Sequence, residues 1–262
     1  MHGSWMIDPL YALSGLAVGF LVGLTGVGGG SLMTPLLILI FGVHPASAVG
    51  TDLLYAAITK GAGTITHHAN NTVEWKIVGR LAIGSVPATI LTILAFHHFG
   101  ASGPEASAVI SITLGVALVL TAAMLFFKAP ILRAAMRRNP DFGVNTSIFA
   151  TILVGFVVGV LVSISSVGAG AVGTSALFFL YPRLPAAKIV GTDIAHAVPL
   201  TLLAGLGHAW LGTVHLHILV SLVAGSIPGI VAGSLATRFT PEGVLRPALA
   251  VILAVVGVKL LG

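Results

Sequence analysis

The chain has 262 residues, 56% apolar and 7% charged, with 12 Lys and Arg against 7 Asp and Glu and a mean hydropathy of +1.09. A typical soluble domain is about one quarter charged, so this composition excludes a water-soluble domain and puts lipid against much of the surface. The net charge of +5 sits in short loops and reads as a topology signal rather than as nucleic-acid affinity, while the absence of cysteine excludes disulfides, thiolate metal sites and cysteine nucleophiles.

The apolar runs are long and continuous, unlike the alternating ten-residue stretches of outer-membrane strands, so the spans are helices. The first ten residues, MHGSWMIDPL, carry neither a Lys or Arg cluster nor a small-residue cleavage site. The first apolar run is therefore expected to be retained rather than removed as a signal peptide. With about 17 to 25 residues per crossing, spans are predicted at 46–68, 76–98, 106–127, 186–210, 216–238 and 243–261. Regions 9–42 and 144–181 are too long for one helix, and each is interrupted by a small-residue break. The first break is Leu24-Thr25-Gly26-Val27-Gly28-Gly29-Gly30-Ser31 and the second is Ser165-Ser166-Val167-Gly168-Ala169-Gly170-Ala171. Flanking pieces of roughly 15 to 20 residues are short for full crossings, which predicts half-helices meeting in the membrane as re-entrant hairpins. Two full crossings in each region would give the same pattern of loop charge.

The halves are copies. Gly50-Thr51-Asp52 recurs as Gly191-Thr192-Asp193, His67 as His208, Thr72-Val73 as Thr213-Val214, and Gly84-Ser85-Val86-Pro87 as Gly225-Ser226-Ile227-Pro228, every match 141 positions on. The expected organisation is a first membrane repeat at 1–127, a basic cytoplasmic linker at 128–143 and a second repeat at 144–262, together forming one membrane domain. If each interrupted region enters and leaves on one side, ten of the twelve Lys and Arg fall on the cytoplasmic side, as the positive-inside rule requires. Counting each region as a single crossing sends Arg183, Lys188, Arg238 and Arg246 outside. The predicted fold class is therefore an all-α integral membrane protein of two inverted-topology repeats, each a broken or re-entrant helical hairpin plus three transmembrane helices.

The first break followed by Pro35-Leu36-Leu37, then Val49-Gly50-Thr51-Asp52, His67 ahead of Val73-Glu74-Trp75, and Gly84-Ser85-Val86-Pro87 resemble the TauE/SafE family of sulfite exporter-like permeases. The resemblance runs nearly end to end. It implies secondary transport of small anions such as sulfite or organosulfonates across a multi-pass cell membrane, the bacterial inner membrane, without a cofactor. The second copy departs from the pattern, since Gly168-Ala169-Gly170 replaces the triple glycine and no Pro-Leu-Leu follows.

Candidate substrate-binding residues are Gly28, Gly29, Gly30, Ser31, Thr51, Lys60, Gly168, Gly170, Thr174 and Thr192. At each break, free backbone N–H groups and the positive end of a helix dipole could hold an anion without burying a full cation; close helix packing is the competing reading. Asp52 and Asp193 lie inside spans, where an ionisable group costs roughly 2.5 to 3.5 kcal/mol on insertion scales. Coupling to protons and capping of hairpin N–H groups are both open to them. Lys60 is basic at mid-span, with Thr201 at the equivalent position, and eight residues of helix hold it about 12 Å along the axis from Asp52. It reads as positive charge for the anion path, against snorkelling to an interface. Among the ten His, the repeat preserves His67 and His208, which suits coupling or gating as well as a helix–helix hydrogen bond. No His spacing points to a metal. Pro87, Pro199 and Pro228 are expected to kink their spans, and Gly115 is taken as an ordinary span residue.

The expected activity is secondary transport by alternating access, one copy moving against the other. An anion channel is the alternative, and an intramembrane hydrolase using Ser31 or Ser175 with a His is a lesser one. Expected partners are the small anion, the lipid bilayer and a second copy in a homodimer, with no nucleic acid.

Overall fold

The computed structural model describes residues 7–25, 30–127, 130, 144–236 and 242–262. Gly28 and Gly29 of the first break, and the expected linker apart from residue 130, therefore lie outside the described residues. Within them all regular structure is helical. The helices are α1 (Pro9–Thr25), α2 (Gly30–Leu39), α3 (Pro45–Ala69), α4 (Trp75–Phe99), α5 (Pro104–Phe126), α6 (Val144–Ser165), α7 (Ala171–Leu180), α8 (Ala186–Trp210), α9 (Leu216–Ala236) and α10 (Glu242–Leu261). All six predicted spans are present to within two residues at either end.

Local chemistry sets the boundaries. Asp8 accepts the Leu10 N–H at 2.8 Å and Pro9 opens α1, the pairing of an N-cap carboxylate with a proline whose missing N–H costs nothing there. Prolines also open α3 and α5, at Pro45 and Pro104, without a carboxylate before them. Asn71 and Gly212, equivalent positions after α3 and α8, both take left-handed backbone (φ 53° and 74°). Pro87, Pro199 and Pro228 lie inside α4, α8 and α9, which continue through them.

The interrupted regions differ from the expected pieces of roughly 15 to 20 residues. Each has a longer first piece, 17 residues in α1 and 22 in α6, followed by a ten-residue helix. Ten residues rise about 15 Å, half the hydrocarbon core. The chain then doubles back to the level where it started. Tyr11 near the start of α1 lies against Phe41 beyond α2, ring centroids 4.6 Å apart, and Thr151 near the start of α6 bonds the Tyr181 hydroxyl beyond α7 at 2.7 Å.

Packing crosses between copies. α1 lies along α9 in the same direction, Gly15 against Leu222 and Gly19 against Ser226. α4 lies along α6 in the same direction, Gly155 against Leu81 and Gly159 against Ser85. A Cβ on Gly84 would meet the Ile152 carbonyl oxygen, and one on Gly225 the Ala12 carbonyl oxygen, so these pairs rely on small residues for backbone contact. α3 and α8 run antiparallel, since Gly50 near the start of α3 meets His208 and Thr213 while Gly191 near the start of α8 meets His67 and Thr72. Gly115 is not an ordinary span residue. A Cβ there would come within 2.8 Å of Leu261 and 3.0 Å of the Gly257 carbonyl, because α5 and α10 touch at that point.

Among the described residues, five helices are long and apolar enough to cross a membrane. α8 is the most enclosed, with 61% of its crossing stretch buried against 39–44% for the other four. α3, its antiparallel partner, is less apolar because it carries Thr51, Asp52, Thr59, Lys60 and Thr64. The two line the centre, where the half-helices meet them.

Candidate functional site

Asp52 lies in the second turn of α3, fully buried, and the Thr34 hydroxyl of the half-helix α2 donates to its Oδ2. Its Oδ1 has no hydrogen-bond partner within the protein, nor has the buried Ser166 hydroxyl, which faces Asp52 from the second break. Asp52 is thus the point where α2 of the first copy and the break of the second converge on α3. Asp193, 2% exposed, occupies the equivalent turn of α8 and lies against Gly173 in the first turn of α7.

The second break is non-helical, as its glycines predict. Ser166, Gly168 and Gly170 have φ of 60°, 124° and 147°, values that Gly adopts without steric cost. Ser165 ends α6 with its hydroxyl on the Leu161 carbonyl at 2.7 Å and accepts the Val167 N–H at 3.2 Å. The Thr174 hydroxyl donates back to the Gly170 carbonyl, so this candidate residue braces the break. Lys60 reaches across from α3, its ammonium donating to the Ala169 carbonyl at 2.8 Å. It is within electrostatic reach of both Asp52 and Asp193. No salt bridge joins it to either, in keeping with the helical rise that separates Lys60 from Asp52. Of the first break, Gly30 begins α2 and Ser31 is buried.

Thr51 and Thr192 serve the joint between copies. The Thr192 hydroxyl accepts the Glu74 N–H at 2.9 Å, and Thr51 accepts the His215 N–H at 3.1 Å, each at the loop that enters the next helix of the other copy. His67 and His208 close the loops that follow them, Nδ1 of each on Thr72 or Thr213 at 2.8 and 2.9 Å. His208 Nε2 also lies 2.9 Å from the Ser163 carbonyl on α6. A carbonyl can only accept, so Nε2 donates to it, while the Thr213 hydroxyl also donates to the His208 carbonyl at 3.0 Å. Both ring nitrogens are engaged in structure.

Sequence reasoning passed over Thr34, Tyr55 and His196. Tyr55 bonds Ser226 at 2.7 Å and His196 bonds Ser85 at 2.9 Å, all four residues buried. The signal was available: Ser85 and Ser226 stand in the repeated Gly-Ser-Val/Ile-Pro motif, and 55 and 196 are equivalent positions. The rings at 55 and 196 differ, which hid the pair from a search for identical residues. Lys60 is also within electrostatic reach of His196. Among the described residues, no group of three or more His, Asp or Glu is placed to hold a metal ion.

One end of the molecule gathers positive charge. Lys188 pairs with Glu74, and Arg80 reaches the Tyr181 hydroxyl at 3.3 Å. By the antiparallel run of α3 and α8, His215 and Thr213 lie at the opposite end.

A protein-family model described as sulfite exporter TauE/SafE matches residues 11–260. The chain is 41% identical over 252 residues to a Bacillus subtilis (strain 168) protein named probable membrane transporter protein YjnA, covering 95% of this chain and 98% of that one. It is 28% identical to probable membrane transporter protein YdhB of the same organism, over 93% of this chain and 96% of the relative. A Xylella fastidiosa (strain Temecula1 / ATCC 700964) probable membrane transporter protein is 26% identical, over 87% and 84%. No solved structure matches the chain.

Proposed function

The chain belongs to the sulfite exporter TauE/SafE family, and from that premise we propose that it is a secondary transporter of small anions, with sulfite, an organosulfonate or a related sulfur-containing anion as its substrate. The observation that carries the reading is the Lys60 ammonium, a mid-helix cation delivered to the carbonyl of Ala169 inside the second break. A positive group set beside unwound backbone and the N-terminus of the ten-residue α7 is a chemistry that attracts anions. In this reading Gly168, Gly170 and Thr174 shape the cradle, Gly28, Gly29, Gly30 and Ser31 are assigned to substrate binding, and Thr51 and Thr192 fix the register of α3 and α8 around it. Asp52, Asp193, His67 and His208 are the residues we assign to coupling or gating.

The proposal includes inverted topology. Support comes from the antiparallel run of α3 and α8, from hairpins that return to their starting level, and from the basic end formed by Arg80, Arg183 and Lys188. That end is placed in the cytoplasm of a bacterial cell. Access alternates by movement of bodies that each contain helices of both copies, because α1 on α9 and α4 on α6 are held by glycine-to-backbone contacts. Cysteines introduced at Gly100 and His217 are expected to label from outside, and one at Asn139 only after permeabilisation. Outside labelling at Asn139 overturns the orientation.

The functional test is a thermal-shift screen of purified protein against sulfite, sulfate, thiosulfate, methanesulfonate, sulfoacetate, taurine and carboxylate controls, because a ligand of the native state raises its apparent stability. Counterflow of the stabilising anion in proteoliposomes follows. Lys60→Ala is expected to impair counterflow and Lys259→Ala to leave it, with folded protein retained in both. Equal activity of the two variants removes Lys60 from the anion path. Conductive flux without saturation or counterflow identifies a channel.

A further inference from the structure

Resting on the anion-carrier reading above, we infer that the coupling ion is the proton, that Asp52 is the group that takes and releases it, and that a monovalent anion and one proton cross together without net charge. The geometry at Asp52 serves both states of a carboxyl. Thr34 holds Oδ2 as a donor in either state. Oδ1 and the Ser166 hydroxyl are both buried, neither has a hydrogen-bond partner in the protein, and Ser166 lies within reach of the Asp52 carboxyl. A hydroxyl both donates and accepts, so Ser166 donates to Oδ1 of the carboxylate and accepts from the O–H of the acid. A rotation of one hydroxyl accommodates the change.

The charge count gives the stoichiometry. The ionisable groups that reach Asp52 are Tyr55 and Lys60 on its own helix, and Lys60 in turn faces Asp193 and His196 of α8. The half-helix α2 and α6 contain no ionisable residue, α5 has Glu105 in its first turn and α9 has His217 in its first turn. Two carboxylates and one ammonium leave one uncompensated negative charge in a low-dielectric centre, which is strongly unfavourable. One proton on either carboxylate leaves the stretch that Lys60 spans neutral. A monovalent anion arriving beside Lys60 adds a negative charge, and a second proton cancels it. The anion and that proton leave together on the other side, so the site returns to its starting charge and one proton has crossed per anion.

The test uses the full chain in liposomes with an internal pH dye and methanesulfonate, a strong-acid anion that does not itself buffer near neutrality. An inward methanesulfonate gradient is expected to acidify the interior, at an initial rate unchanged when a potassium–valinomycin clamp moves the membrane potential. Methanesulfonate counterflow with no interior pH change, or acidification that responds strongly to the potential, overturns the inference and leaves the carrier standing. Infrared difference spectra between two pH values supply a readout independent of flux. The wild type is expected to show the carbonyl stretch of a buried carboxylic acid, Asp52→Asn to lose it, and Ser166→Ala to keep it with a displaced titration. A band that persists in Asp52→Asn overturns the assignment. The band lost in Asp52→Asn while the wild type shows no counterflow of any anion in the panel supports proton binding at Asp52 and counts against the anion-carrier reading alone.

Discussion

Asp52 and Asp193 stand at the same position in two copies of one motif, yet their surroundings diverge within a single turn. Asp52 meets a threonine hydroxyl from its half-helix, a serine from the opposite break and, two turns on, a lysine that reaches that break. Asp193 meets Gly173, which brings no side chain, and the position matching Lys60 is Thr201, bonded to the Ala197 carbonyl of its own helix at 2.8 Å. Around both, the joints match: Thr51 with Thr192 and Ser85 with Ser226 make equivalent bonds across the copies, and His67 and His208 each close the loop of their own copy. A joint faces its own copy, so twofold repetition constrains it. A site for a small ligand faces an object without that symmetry, and nothing requires its two sides to agree.

The largest effect should come from breaking the joint itself. Gly84→Val and Gly225→Val each drive side-chain atoms into a facing carbonyl oxygen, and overpacking of this kind costs typically about 1 to 3 kcal/mol and more where backbone must move. Loss of monodisperse protein in detergent is expected for both. Gly79→Val, where a Cβ meets nothing within 4 Å, should purify normally. Similar yields for all three would show that the cross-copy contacts are loose.

Next comes the asymmetry of the site. Lys60→Thr gives both copies the same residue and should lower anion counterflow by at least about tenfold, equivalent to about 1.4 kcal/mol. Adding Thr201→Lys to it should not restore flux, because the Ala169 carbonyl lies at the break that Lys60 reaches. Restoration would mean that the sides are interchangeable.

A smaller effect is expected at the matched rings. A double-mutant cycle of Tyr55→Phe and Ser226→Ala, read by thermal denaturation, should give a coupling of about 1 kcal/mol, the usual net worth of one hydrogen bond. The cycle for His196 and Ser85 should match it if both pairs are joints. A clearly larger transport defect in His196→Gln than in Tyr55→Phe would move His196 into the site. The smallest effect belongs to the Lys188–Glu74 pair, whose side chains are 38% and 31% exposed. Glu74→Gln should change stability by less than about 1 kcal/mol, and the difference should fade at high salt.

Much of the fold was legible because its signals are local or periodic. Span lengths follow from apolar runs, and α8 begins and ends at the residues expected of it. The repeat was visible because identical residues recur at one offset. The unequal hairpins were not visible, since apolar character continues through both pieces and says nothing of where helical geometry stops. Gly115 misled for a related reason: a glycine in an apolar run looks the same whether it faces lipid or, as here, the Gly257 carbonyl on α10.

Of the site, Lys60, Asp52 and the second break were named because charge and glycine are conspicuous in an apolar chain. Their neighbours Thr34, Tyr55 and His196 were not, because such residues take their meaning from what they face. The sequence by itself determined a polytopic helical membrane protein, its duplication, its basic loops and its family, since hydropathy, offset and motif order are properties of the chain alone. Only the tertiary structure decided that α1 and α9, and α4 and α6, join across the copies. It also decided that Lys60 serves the other copy's break and that Asp52 and Ser166 face each other, because a residue from α3 and a residue more than a hundred positions away become neighbours only when the helices pack.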